Sequence, residues 1–219
     1  MISKNGEKVL NFLLRNCSYP GYNINQIAKE VDISIGSSFK ILNQLKKSRI
    51  LRNTILGNAS FYMVDKEEES MKLCELMLIR QKKALSGYPA IYADSLVKIN
   101  SEVIVLFGSI LHKKGFKDVD VMFMTRNVDE IMKGCENISK IRTKSVHPLL
   151  LTKQDLLREL IAGKPVIKSI AKEGVVLKGE DIFVDVMLDA AMVPRKREQI
   201  KENSARHIQS KSPSGKSKT

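Results

Sequence analysis

The chain has 219 residues, 43% of them hydrophobic, and its 37 Lys and Arg against 24 Asp and Glu leave a net charge of +13. That length can bury a real core, while no apolar run approaches the ~20 residues a spanning helix needs, so no membrane association is expected. Cys17, Cys74 and Cys135 are too few and too scattered for a disulfide framework or a zinc cluster. They read as core thiols, and with no signal-peptide cleavage pattern between Met1 and Arg15 the expected setting is the cytoplasm.

From Gly6 to Asn16 the apolar residues Val9, Leu10, Phe12, Leu13 and Leu14 form one broad helical face. A second short helix is expected over Ile24 to Val31, with Ile27, Ala28 and Val31 inward. After the turn Asp32-Ile33, Ser34 is placed to cap a third, in which Ile35, Phe39, Leu42 and Leu45 recur at helical spacing up to Ser48. Two strands come next, Ile50 to Leu56 and Ser60 to Val64. Between them, Gly57-Asn58 suits the positive backbone angles of a tight hairpin turn.

Three helices and a hairpin in this order resemble the winged helix-turn-helix module of prokaryotic DNA-binding regulators. The resemblance rests on arrangement, and it implies that the third helix enters the major groove of double-stranded DNA. The residues left over from packing would then face the bases: Ser34, Ser37, Lys40, Asn43, Gln44 and Lys47. Lys40, Lys46, Lys47, Arg49 and Arg52 suit phosphates. Charge agrees, because Met1 to Val64 carries a net charge of about +6, the segment from Arg195 onward a similar excess, and the middle close to +1. Winged-helix regulators commonly pair to match two half-sites, so a homodimer is expected.

The stretch Asp65 to Asn100 reads as a helical connector. Met71, Leu73, Cys74, Leu76, Met77 and Leu78 suggest a long helix, broken near Gly87-Tyr88-Pro89 and succeeded by a second through Ala93 and Val97. It either packs the first module onto the second domain or forms a dimer seam.

Val103-Ile104-Val105-Leu106-Phe107 and Val121-Met122-Phe123-Met124 are short runs rich in β-branched and aromatic residues, which suit strands buried on both faces. Asp118-Val119-Asp120 leads into the second. Strand side chains repeat with period two, so both carboxylates leave one face, as a hard divalent cation such as Mg²⁺ requires. At the end of the first, Gly108 lets the backbone approach a ligand closely, and Ser109 offers a hydroxyl and can cap a helix whose amino end favours anions. The combination outlines a site for a nucleoside triphosphate and Mg²⁺.

Leu106-Phe107-Gly108-Ser109, a short spacer and Asp118-Val119-Asp120 together resemble the signature of the DNA polymerase β nucleotidyltransferase superfamily. The closest resemblance is to its minimal nucleotidyltransferase branch, small prokaryotic domains often linked to toxin-antitoxin systems, and it spans Ser101 to Leu188. It implies that Gly108 and Ser109 hold the triphosphate, with ATP as the expected nucleotide, and that Asp118 and Asp120 are catalytic metal ligands. A nucleoside monophosphate would pass to an acceptor that the residues do not choose.

Three departures bear on activity. The spacer Ile110 to Lys117 is slightly short for the minimal branch, and Ile110 stands where an aromatic or small residue is usual. The third carboxylate is missing from its expected strand, Val146 to Thr152, which carries His147-Pro148 instead; Asp185 is the lesser contender. The rival expectation is therefore a transcriptional regulator whose nucleotidyltransferase fold has lost its chemistry and senses nucleotide. His147 is either a metal ligand, a proton carrier or a structural residue. His112, Lys113, Lys114 and Arg126 are candidates for triphosphate oxygens or for a solvated basic surface, and Asp155 and Glu159 read as the polar face of a helix.

The remaining elements are helices or strands at Val128 to Ile141, Val146 to Thr152, Gln154 to Ile161, Val166 to Lys172 and Val175 to Lys178. They suit a small mixed sheet with helices on one side. The expected fold class is thus α+β, divided into a winged helix-turn-helix domain (1–65), a connector (66–100), a nucleotidyltransferase domain (101–194) and a basic disordered tail (195–219). That tail is either a nonspecific nucleic-acid arm or a solvated terminus without a role.

Overall fold

A computed structural model describes residues 2–16, 18–112 and 115–194. Helix α1 (Lys4–Arg15) starts where the Ser3 hydroxyl accepts the Gly6 N–H, and it buries Val9, Leu10, Leu13 and Leu14. Strand β1 (Tyr22–Asn23) runs into α2 (Ile24–Glu30) through a reciprocal capping box between Asn23 and Gln26. Asp32 turns the chain at φ 54°, and α3 (Ile35–Lys47) begins at the Ser34 cap. The hairpin of β2 (Leu51–Leu56) and β3 (Ala59–Val64) completes a three-stranded antiparallel sheet in the order β1-β3-β2.

The third helix is rotated relative to the expected packing. Ser38, Leu42 and Leu45 point inward, whereas Ile35 and Phe39 are 57% and 55% exposed. With about 3.6 residues per turn, Ser38, Leu42 and Leu45 already make a complete inward stripe, and Ile35 and Phe39 fall on its flank.

Helix α4 (Glu68–Lys83) and α5 (Gly87–Leu96) lead to a second sheet made of β4 (Val103–Phe107), β5 (Val119–Met124), β6 (Val146–Leu151) and β7 (Val175–Lys178). Its order is β6-β5-β4-β7, with β5 and β6 parallel and the other neighbours antiparallel. Helices α6 (Val128–Ile141), α7 (Lys153–Ala162), α8 (Pro165–Glu173) and α9 (Glu180–Met192) complete the described chain. The class is α+β, as expected.

Helices cover both faces of this sheet, which corrects the expectation of a single helical layer. Val103, Val105, Met122 and Met124 pack with α1, α4 and α7 to α9, while Ile104, Leu106, Val121 and Phe123 pack with α5 and α6. The cause is in the strands themselves: β4 and the body of β5 are apolar at consecutive positions, so neither face can be left to water.

The first of these cores is continuous from α1 through α4 to the second sheet. Arg15, 5% exposed, reinforces the junction by donating from Nη1 to the carbonyl oxygens of Gly174 (2.6 Å) and Ala171 (3.1 Å), and from Nη2 to Gln81 Oε1 (2.5 Å). Lys66 adds ion pairs to Asp185 (2.7 Å) and Asp189 (2.5 Å). Cys74 and Cys135 are buried thiols, as expected, and burial pushes them up to about 12 and about 11. Cys17 and the tail from Arg195 lie outside the described residues. Among those described, no helix is long and apolar enough to cross a membrane.

Candidate functional site

Strand register builds the acidic site. Antiparallel pairing sets Asp120 opposite Phe107, directly before the Gly108 bend, and parallel pairing on the other side sets Asp120 beside His147. Cross-strand partners share a face, so the bend, the carboxylates and the imidazole meet at one end of the strands, where β4 finishes and β5 and β6 start. Ligand atoms of Asp118, Asp120 and His147 all lie within 4.8 Å of one another, and His147 Nδ1 is 3.4 Å from Asp118 Oδ2. The side chains of Asp118 and His147 are 39% and 58% exposed, which makes this an open rim that a large ligand can reach.

Gly108 has φ 80° and ψ −155°, a conformation that disfavours any side chain. A Cβ at this position would stand 2.4 Å from Asp120 Oδ2. The missing side chain is therefore what admits the carboxylate against the bend. Ser109, expected to be able to cap a following helix, is instead the first residue of a single 3-10 turn (Ser109–Leu111) whose cap position is Gly108, so no helix dipole of ordinary length stands behind the bend.

Asp120 has its carboxyl raised from the ordinary value, first by partial burial and then by the charge of Asp118, with His147 opposing. Two close carboxylates in a partly desolvated position repel each other, and a bound cation relieves that repulsion. Their hard oxygens suit Mg²⁺, and the imidazole adds a donor that suits Mn²⁺ and other transition ions at least as well. The residues present thus fit a divalent cation.

Several candidates fall elsewhere. Asp185 lies on α9, held by Lys153 (2.7 Å) and Lys66 (2.7 Å), and these ammonium groups, Lys153 foremost, hold its carboxyl below the usual range. Arg126 lies past the opposite end of β5, roughly 20 Å along the strand from Asp120, too far to share its ligand. His112 Nε2 instead faces Glu173 at 3.6 Å, and Lys113 and Lys114 lie outside the described residues. Asp155 closes a capping box with Thr152 at the start of α7. His147 was legible only as an open alternative, because nothing in the local sequence reveals that β6 runs parallel to β5 in this register.

On the first module, Lys40, Asn43, Gln44 and Lys47 are exposed along α3. Ser34 and Ser37 are engaged locally: the Ser37 N–H donates to Ser34 Oγ, and the two hydroxyls share a 2.9 Å hydrogen bond. Arg52 is half-buried on β2, with an Nε that finds no partner among the described residues. Arg15, counted within the basic excess of this module, is spent on backbone carbonyls instead.

No known protein family, curated protein or solved structure matches the chain.

Proposed function

We propose that this chain is a DNA-binding nucleotidyltransferase, in which a winged helix-turn-helix module of α1 to β3 is joined to a nucleotidyltransferase fold built on the second sheet. The observation that carries the catalytic reading is the convergence of Asp118, Asp120 and His147 on the Gly108 bend. Asp118 and Asp120, with His147 beside them, would hold a divalent cation. When bound, that cation supplies positive charge to the oxygens of a triphosphate and to the pyrophosphate that leaves.

The chain's own residues do the positioning. Gly108 admits the Asp120 carboxylate against the bend, and Ser109 offers its hydroxyl to phosphate oxygens. An acceptor hydroxyl then attacks the α-phosphorus in line; a new P–O bond forms as the hydroxyl proton passes to solvent, the bond from the α-phosphorus to the oxygen shared with the β-phosphate breaks, and pyrophosphate departs with the electron pair. DNA binding would place this chemistry beside nucleic acid, supported by the lysines exposed on α3 and by the charge of the first module.

His147, standing where a third carboxylate would complete the site, favours a second reading. In it the same open rim binds nucleotide without transferring it, and the protein is a nucleotide-sensing regulator. Incubation with α-labelled ATP, Mg²⁺ or Mn²⁺ and cell extract separates the two. Label on an acceptor that disappears with Asp118→Ala/Asp120→Ala supports the enzyme. Nucleotide-dependent DNA binding without transfer supports the regulator.

A further inference from the structure

Helix α3 presents an apolar pair where a solvent-facing helix ordinarily carries polar residues. Ile35 and Phe39, one helical turn apart, are 57% and 55% exposed, and Ile35 is the first residue of the helix. Between them Gly36 has no atom within 4 Å of where its Cβ would stand. Glycine weakens a helix, and packing inside this molecule does not require it here. Its effect is to thin the exposed face, allowing the amino-terminal turn to come close to a partner.

Lys40, Asn43 and Lys47 continue the same surface, on the side away from Ser38, Leu42 and Leu45. Two partners could cover an apolar pair edged by lysines: another copy of the chain or a polyanion. Isologous pairing through this face would set the ammonium groups of the two copies against each other. A duplex supplies the opposite charge along its phosphates, and in its major groove an apolar group that only one base carries, the 5-methyl of thymine.

We propose that Ile35 and Phe39 read thymine methyl groups in the major groove of duplex DNA, while Lys40 and Lys47 fix the helix to the flanking phosphates. This rests on the DNA-binding reading above and extends it to base preference. Gly36 lets the first turn approach the base edges, and Asn43, one turn beyond Phe39, has the amide geometry that pairs with adenine. The expected target is accordingly rich in A·T pairs.

The test starts from duplexes selected by the full-length protein out of a random library. Each thymine of a selected duplex is replaced in turn by deoxyuridine, which removes one methyl and keeps every hydrogen-bonding group. Binding to one or two of these duplexes should weaken about fourfold per methyl, the equivalent of one buried carbon. In Ile35→Ala/Phe39→Ala the same replacements should change nothing, with the fold checked by circular dichroism.

Duplex binding that ignores deoxyuridine, or responds equally in the double variant, overturns the thymine reading and leaves DNA binding standing. Failure to bind any duplex removes the DNA reading itself. If the double variant turns a dimer into a monomer and leaves DNA affinity unchanged, the face belongs to a second copy and the proposal is wrong.

Discussion

Gly108 and Asp120 are mutually dependent: the Asp120 carboxylate occupies the space in which any side chain at position 108 would begin, 2.4 Å from the Cβ position. Gly108→Ala therefore adds a clash to a backbone already at φ 80°. The variant should lose about 1–3 kcal/mol of stability, read from its denaturant midpoint. It should also bind a divalent cation more weakly than the parent, because the carboxylate must move. Unchanged cation affinity in a folded variant would show that the bend has no part in the site.

His147 faces Asp118 across 3.4 Å. Replacing it with aspartate restores a third carboxylate at this end of the strands, and hard oxygens favour Mg²⁺. His147→Asp should tighten Mg²⁺ binding relative to Mn²⁺ in competition titrations. His147→Ala should weaken Mn²⁺ binding and leave the preference for Mg²⁺ no worse.

Asp185 gives a pH signature. Its carboxyl is held below the ordinary value by Lys153 and Lys66, so the folded state keeps the proton off more strongly than the unfolded chain does. The stabilisation is complete above the unfolded value of about 3.9 and is lost as pH falls through the lower folded value. Asp185→Asn should be less stable than the parent at neutral pH, and the gap should close in strong acid. Lys66, raised by hydrogen bonds to Asp185 and Asp189, behaves oppositely, losing its contribution only as alkaline pH passes its folded value.

Arg15 joins the first helix to the backbone at the end of α8. Arg15→Met leaves the carbonyls of Ala171 and Gly174 without this donor, and should cost about 2–4 kcal/mol in denaturant unfolding. It should leave the salt dependence of DNA binding unchanged, since the guanidinium is buried within the protein.

Lys40 and Lys47 carry the opposite expectation. Lys40→Ala/Lys47→Ala should reduce DNA affinity and lower the slope of log K against log salt by about 2. An unaltered slope would take α3 out of the phosphate interface.

Most elements can be read from local pattern. The three amino-terminal helices, the Gly57-Asn58 hairpin, the Gly87 break and the two central strands all have short-range causes: caps, turn residues and uninterrupted apolar runs. Features that depend on contacts distant in the chain could not be read in this way. The rotation of α3 that exposes Ile35 and Phe39 is decided by what α1, α2 and the first sheet offer for packing. The pairing of His147 with Asp120 depends on β6 running parallel to β5. The two-sided helical cover of the second sheet was implied by the consecutive apolar residues of β4 and β5, and the expectation of one layer overlooked that. Asp185, a contender on sequence, sits on a helix whose lysine partners come from positions 66 and 153.

The most direct test of the central claim is Mn²⁺ binding in the presence of ATP, monitored by electron paramagnetic resonance on the full-length protein. The parent should bind one Mn²⁺ together with the nucleotide, and Asp118→Ala/Asp120→Ala should lose that binding while keeping its circular dichroism. Equal Mn²⁺ and ATP binding by the two proteins would contradict a cation site at the Gly108 bend.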